Sequence, residues 1–372
     1  MKTLRSEQLE RAKILVRVPN WIGDAVMCLP ALRALREALP AAEIALVARP
    51  WVSDIFARAE PSCRLIGYDL RGLHRGIFGR WRLACELRQE RFDAAILFQN
   101  AFDAALLGVM AGIPIRAGYA RHGRRMLLTH PVAVPRKGAT PRHESHYYLE
   151  LLRRLRLIEG YPEVQEISLA QKETATEARQ LLENRIAAVG CSIRNGAPVV
   201  GISPGATFGT AKRWPAERFA ELAVRLHKEL GATCVFFGSP QERKLVESVL
   251  ARAGEGAVSL AGKTSLEEFL QTVAGCDLYI TNDTGTMHVA AALGAPTLAI
   301  FGPTDEQATR PLGARVQLLV GSAPCRPCLL RHCPIDHCCM TSISVDTALQ
   351  AARALLAQRK SSPLAWQESH TG

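Results

Sequence analysis

Tyr279-Ile280-Thr281-Asn282-Asp283-Thr284-Gly285-Thr286-Met287-His288, followed by the Ala-rich run Val289 to Leu293, is the stretch whose reading decides the fold. It reads as the end of a buried strand, a tight polar turn and the first turns of a helix. Such a turn presents backbone N–H groups and the positive end of a helix to whatever sits above it. That is an anion site, and phosphate is its commonest occupant. The plain alternative is a strand-to-helix turn capped by Asp283 or Thr284. A cap alone does not need a carboxylate, two hydroxyls, a glycine and an imidazole within six residues.

The flanking chain repeats the same rhythm. Val199 to Ser203 is a short apolar run, followed by the loop Pro204 to Trp214, Pro215 at a helix first turn, and Phe219, Leu222, Leu226 and Leu230 at helical spacing. Cys234 to Phe237 and Pro296 to Phe301 read as further strands, with helices over Glu242 to Arg252 and Ser265 to Ala274. In the first half, Lys13 to Val18, Glu43 to Ala48 and Phe92 to Phe98 are strand candidates. One helix is expected from Ala25 to Leu39 and another from Trp81 to Gln89, and Ile55 to Leu65 is a poorly marked connection. Ile113 to His146 reads as loops carrying positive charge, and a helix opens at His143-Glu144 and runs to about Leu157. Strands alternating with helices imply an α/β protein with parallel sheets covered on both faces. A chain of 372 residues is long for one core, so two domains are expected, with the junction in the polar Gly190 to Pro198 stretch.

Apolar residues make up 48% and charged residues 22% of the chain, an ordinary globular composition. The formal net charge of +11 calls for an anionic partner: nucleic acid, a phosphorylated ligand or an acidic membrane surface. Aromatic residues are not interleaved with the cations as stacking platforms, so nucleic acid is not the expected partner. Met1 to Lys13 is polar and carries both charge signs, unlike a signal peptide. The longest apolar stretches are short and broken by Gly294 and Pro296. A cytoplasmic location with at most peripheral membrane contact is expected.

Three constellations carry chemistry. The Ser203 to Trp214 loop has glycines for close backbone approach, hydroxyls and the pair Lys212-Arg213, although the P-loop spacing is not met. Together with the Asp283 turn it suggests one ligand with a diphosphate, whose leaving charge Lys212 would neutralise. Asp24, between Gly23 and a helix, is a helix cap or a general base. Five of eleven cysteines fall between Cys325 and Cys339, and Cys325-x2-Cys328-x4-Cys333-x5-Cys339 is a candidate structural metal site or a set of redox-labile or free thiols. The remaining six are scattered and read as small core residues. There is no G-x-G-x-x-G after the first strand, no H-E-x-x-H and no D-x-D pair, and His288 has no Ser or Cys close to it in sequence.

These residues resemble a known family, the lipopolysaccharide heptosyltransferases of glycosyltransferase family nine. The resemblance rests on Ile14-Leu15-Val16-Arg17 with Asn20-Trp21-Ile22-Gly23-Asp24, on Ser203-Pro204-Gly205-Ala206-Thr207-Phe208-Gly209 with Ala211-Lys212-Arg213-Trp214-Pro215, and on Thr281 to Leu293 with Phe301-Gly302-Pro303-Thr304. The Ala-Lys-Arg-Trp-Pro run favours the type II enzymes of the family over type I.

The resemblance implies a GT-B architecture, two Rossmann-like domains facing across a central cleft. They would comprise an acceptor-binding domain over 12–190, an ADP-sugar-binding domain over 196–345 that contains the Cys-rich segment, a helix over 346–360 crossing back to the first domain, and a flexible tail over 361–372. It implies metal-independent, inverting transfer of L-glycero-D-manno-heptose from ADP-heptose to the phosphorylated, heptosylated Kdo2-lipid A core at the inner leaflet of the cytoplasmic membrane, with no cofactor required. Asp24 would take the acceptor proton, and Lys212 would hold the leaving diphosphate with Thr284 and Gly285. Gly205, Thr207, Asp283 and His288 would line the donor site, Glu242 would hold the ribose and Thr264 would line the adenine pocket. Asn20, Arg121 and Arg124 would meet the acceptor.

Overall fold

Lys13–Arg17 (β1) is buried along nearly its whole length because it is the third of six parallel strands. A run of apolar residues without alternation is what a strand covered on both faces requires. Its sheet also contains β2 (Glu43–Ala48), β3 (Arg64–Gly67), β4 (Ala94–Leu97), β5 (Ile115–Tyr119) and β6 (His130–Val132), in the order β3-β2-β1-β4-β5-β6. The second sheet holds β7 (Val199–Ser203), β8 (Thr233–Phe236), β9 (Ala257–Ser259), β10 (Leu278–Asn282), β11 (Thr297–Phe301) and β12 (Val316–Val320), in the order β12-β11-β10-β7-β8-β9. Read from its other edge, this is the order of the first sheet. Each sheet therefore reverses direction once, between β1 and β4 and between β7 and β10, and the strand ends at such a point form the ligand crevice of doubly wound folds.

The computed structural model describes residues 6–194 and 196–360, and the chain divides into two compact units, Met1–Leu169 and Ala170–Gly372. The division lies ahead of the polar Gly190 to Pro198 stretch expected to hold it. The helix Ala175–Ala188 is the cause: Thr174 and Glu177 close a capping box at its start, Arg179 pairs with Asp277 at 2.9 Å, and Arg185 pairs with Glu268. The first pair ties it to the residue ahead of β10 and the second to the second sheet's own helix, Leu266–Ala274. The helix Val345–Lys360 joins the same core through Ala348, Leu349 and Ala352, which cluster with Leu222 and Leu226 of the helix Ala216–Leu230. The tail expected over 361–372 lies outside the described residues.

Three further elements differ from the sequence reading. Ala25 to Leu39 is not one helix but two, Ile22–Met27 and Leu29–Ala38, broken at Cys28 because Pro30 in the first turn of the second removes a donor. The connection after β2 is the helix Pro50–Ala59, which buries Val52, Ile55 and Phe56. The basic Ile113 to His146 region carries β5 and β6 rather than loops alone. Gly118 lets β5 lie close to its neighbours: a Cβ there would stand 3.2 Å from that of Leu97 and 3.1 Å from the guanidinium of Arg124. No helix among the described residues is long and apolar enough to cross a membrane.

Candidate functional site

In the second unit, the loops leaving β7 and β10 are tied together by one side chain. Asn282 is fully buried at the end of β10. Its Nδ2 donates to the carbonyls of Pro204 (2.8 Å) and Gly205 (3.3 Å), and its Oδ1 accepts the N–H of Trp214 (3.0 Å). Both ends of the 204–214 loop are thereby fixed relative to the Asp283 turn. The Trp214 indole donates to the carbonyl of Ile343 at 3.0 Å, anchoring the loop base in the core.

This fixes Lys212. Its Nζ lies 2.6 Å from Asp283 Oδ2, with side-chain exposures of 13% and 4%. The Thr304 hydroxyl, just beyond β11, donates to the same oxygen at 2.6 Å. Thr284 is the N-cap of the helix Gly285–Ala292 but makes no side-chain cap bond. The capped-turn alternative therefore fails, since the Asp283 carboxylate turns to Lys212 and Thr304 instead. A cation held in place by a carboxylate beside a helix N-terminus is an arrangement that can receive an anion, once Lys212 turns part of its charge from Asp283 to the ligand.

Gly205 has no room for a side chain, because a Cβ there would fall 1.9 Å from Glu242 Oε1. Glu242 is held by Ser239, whose N–H and hydroxyl donate to its Oε2 at 2.9 and 2.8 Å. The structure thus brings Gly205 and Glu242 together. Thr207 is exposed on the loop, Thr264 is half-buried ahead of the helix Leu266–Ala274, and His288 is buried. Gly201-Ile202-Ser203-Pro204-Gly205 has the spacing of a hydrolase nucleophile elbow. Its serine is buried, however, and hydrogen-bonded to the Tyr279 hydroxyl.

In the first unit, Asp24 lies in the first turn of Ile22–Met27, and the cap position belongs to Trp21. Asp24 is therefore not the cap, although a carboxylate in that turn is favoured by the helix dipole. Burial, then the charge of Asp24, pushes the Cys28 thiol and the Tyr148 hydroxyl up. The same two causes raise Glu144, against an opposing pull from Arg121. More than a third of Glu144 is open to solvent, which screens these charges. Asp24, Glu144 and Arg121 are thus electrostatic neighbours, and Glu144 is a member that sequence reasoning did not single out. The Asn20 carboxamide accepts from the buried Arg17 at 2.6 Å, and burial, then Arg49, lowers the Arg17 guanidinium to about 9.

Arg124 departs from its expected place. It is completely buried, donating to the carbonyls of Tyr119 (2.8 Å) and Gln99 and to Asn100 Oδ1 (3.0 Å). It braces the segment after β4 against the end of β5 instead of meeting an acceptor.

The family-nine model, described as glycosyltransferase family 9 (heptosyltransferase), matches residues 80–339. The chain belongs to glycosyltransferase family 9. It is 33% identical over 313 residues to lipopolysaccharide heptosyltransferase 2 of Escherichia coli strain K12, covering 82% of this chain and 87% of that protein. The structure of E. coli ADP-heptose lps heptosyltransferase II superimposes with a TM-score of 0.76 at 30% identity, covering 94% of this chain and 99% of that one. A family 9 glycosyl transferase from Veillonella parvula does so with a TM-score of 0.78 at 25% identity, over 94% and 99%. The α/β fold with two Rossmann-like sheets is accordingly that of a GT-B glycosyltransferase.

The Cys-rich segment of this family 9 member has a mechanical place. Among the described residues no group of three or more His, Cys, Asp or Glu side chains is arranged to hold a metal ion, the candidate set Cys325, Cys328, Cys333 and Cys339 included. All five thiols are free, and burial, then the neighbouring cysteines, pushes that of Cys339 up. The segment clasps the site loops instead. The Ala211 N–H donates to the carbonyl of Arg331 (3.0 Å), the Leu329 N–H to that of Pro303 (2.9 Å), and His332 Nδ1 lies 3.0 Å from the Thr210 hydroxyl. Arg326 donates to the carbonyls of Gly302, Gly321 and Thr304 and pairs with Glu306. The loops bearing Lys212 and Thr304 are both held from this side.

Proposed function

We propose that the chain transfers an L-glycero-D-manno-heptosyl group from ADP-heptose to the heptosylated Kdo2-lipid A core, adding the second heptose. The observation that carries the reading is the Lys212–Asp283–Thr304 cluster beside the N-terminus of the helix Gly285–Ala292. Its Lys212 ammonium, held in place by Asp283, supplies positive charge where a diphosphate leaves. In the reaction, an acceptor oxygen attacks the anomeric carbon of the donor as the bond from that carbon to the diphosphate oxygen breaks. The stereocentre inverts, the acceptor proton passes to Asp24, and ADP leaves with the bonding pair.

Lys212 and the amides of Thr284 and Gly285 hold the diphosphate, while Asp283 and His288 line the heptose side and Gly205 and Thr207 its approach. Glu242 takes the ribose hydroxyls and Thr264 the adenine. Asn20 and Arg121 meet the anionic acceptor. The inverting displacement needs no metal or other cofactor in this reading. The enzyme works at the inner face of the cytoplasmic membrane, where a lipid-anchored acceptor is presented, and the net charge of +11 supports that placement.

The test is incubation with ADP-heptose and defined truncated acceptors, followed by product mass. A gain of one heptosyl residue is expected only on an acceptor that already carries the first heptose. Transfer onto an acceptor lacking it would assign the type I activity, and no transfer onto either would overturn the reading.

A further inference from the structure

The helix Gly76–Gln89 buries Leu83, Ala84 and Leu87 against its sheet, but its first two turns break that pattern. Ile77, Phe78 and Trp81 are 72%, 84% and 62% exposed, and Leu73, in the turn before the helix, is 57% exposed. Single exposed apolar side chains are ordinary on a protein surface, whereas four large ones between Leu73 and Trp81 form a patch that calls for a partner. Arg71, Arg75 and Arg82 are exposed around it.

The patch continues toward the acceptor side of its own unit. The Arg71 guanidinium lies 5.4 Å from the ring of Trp51, itself 40% exposed. The Trp51 indole donates to the Asn20 carbonyl at 2.7 Å, at the start of the turn that leads to Asp24. Because the helix follows β3 and that turn follows β1, both lie at the C-terminal edge of the first sheet.

We propose that Leu73, Ile77, Phe78 and Trp81, with Trp51 beside them, insert into the headgroup region of an anionic lipid bilayer. The inference deepens the proposed function, because it rests on an acceptor presented by a membrane. Aromatic and branched aliphatic side chains rimmed by guanidinium groups have the composition of an interfacial docking surface: the apolar groups enter the acyl boundary and the arginines meet lipid phosphates. Charge complementarity selects a bilayer over a second copy of the chain, since pairing two such surfaces about a twofold axis would bring the Arg71, Arg75 and Arg82 rims together.

The test uses the full chain co-sedimented with vesicles of phosphatidylethanolamine and phosphatidylglycerol, and in parallel with phosphatidylcholine vesicles. The wild type is expected to partition onto the anionic vesicles. Ile77→Asp/Phe78→Asp should lower that partitioning by about tenfold or more, and Arg71→Glu/Arg75→Glu should abolish its salt-sensitive part. The apolar variant should keep the wild-type circular dichroism and the wild-type transfer rate on a water-soluble, deacylated acceptor. Partitioning unchanged by Ile77→Asp/Phe78→Asp, or no partitioning by the wild type, would overturn the proposal. So would a dimer that the apolar variant dissolves while vesicle binding stays the same. Transfer to the soluble acceptor without vesicle binding would remove the docking surface alone. Variant-sensitive vesicle binding without transfer to any acceptor would remove the transferase reading and leave the surface standing.

Discussion

Lys212 offers the sharpest separation of structural from chemical roles. At 2.6 Å and an effective dielectric constant of about 20, its attraction to Asp283 is on the order of 6 kcal/mol, most of it offset by desolvating two groups that are 13% and 4% exposed. Lys212→Met removes the cation but leaves the Asp283 carboxylate buried, with the Thr304 hydroxyl to stabilise it. Loss of one partner from a buried pair costs about 3–5 kcal/mol, and the retained hydrogen bond places this case near 3. Removing a preorganised charge from the leaving diphosphate should lower kcat by about 10²–10³.

The double variant Lys212→Met/Asp283→Asn separates the two effects. It no longer buries an unpaired charge, so stability in urea should return most of the way, while ADP release in the presence of acceptor should stay as slow as in the single variant. Recovery of stability and kcat together would show that Lys212 acts only through the fold. A single variant within about threefold of the wild-type kcat would refute its electrostatic role outright.

Asp24→Asn should lower transfer by about 10²–10⁴ while calorimetric ADP affinity is unchanged, because the first unit is not assigned to the donor. Gly205→Ala forces a Cβ to within 1.9 Å of Glu242 Oε1 and displaces that carboxylate, so calorimetric ADP binding should weaken by about tenfold. At Glu150, burial would raise the carboxyl, but hydrogen bonds from Arg153, Tyr161 and Arg154 outweigh it and hold the group down to about 2. Its stabilisation is therefore complete above the ordinary value near 4.5 and is lost as pH falls through about 2. Glu150→Gln should cost about 3 kcal/mol at pH 7 in urea unfolding, and the gap should close in acid. Glu144 has the opposite sign, since its folded value is raised. Its contribution is present below the ordinary carboxylate value of 4.5 and lost as pH rises through the raised one, so Glu144→Gln should gain stability over wild type as pH rises above that ordinary value, read by urea unfolding.

The parallel architecture was legible because its central strands are continuous apolar runs and its turns carry glycine, proline and short polar residues. The short strands β5 and β6 were hidden. Arg116 and Gly118 on one and His130 and Pro131 on the other look like loop chemistry until the register of β5 beside β4, and of β6 beside β5, is known. The domain junction was misplaced because a capping box and two ion pairs, not a composition change, decide which sheet owns the helix Ala175–Ala188. At the site, Lys212 and Asp283 were visible as types in a pattern. Asn282 stood in the quoted stretch, yet its bonds to Pro204 and Trp214 span 78 and 68 residues, and no local spacing announces them. Thr304 is the same kind of long-range partner. Arg124 was misread because charge in a basic loop suggests a ligand, whereas a guanidinium with three backbone or amide acceptors is a brace.

The shared strand order has a consequence for how the chain is made. β1 sits mid-sheet, and its partner on one side, β4, is synthesised 80 residues later, Ile14 opposite Ala94. β7 likewise waits 78 residues for β10, Val200 opposite Leu278. At about 5–20 residues per second, each nascent half spends about 4–16 s with a bare apolar edge at its centre. During that interval the growing chain depends on whatever shields it at the ribosome, and slowing translation ahead of either fourth strand should lower the soluble yield without changing a single residue.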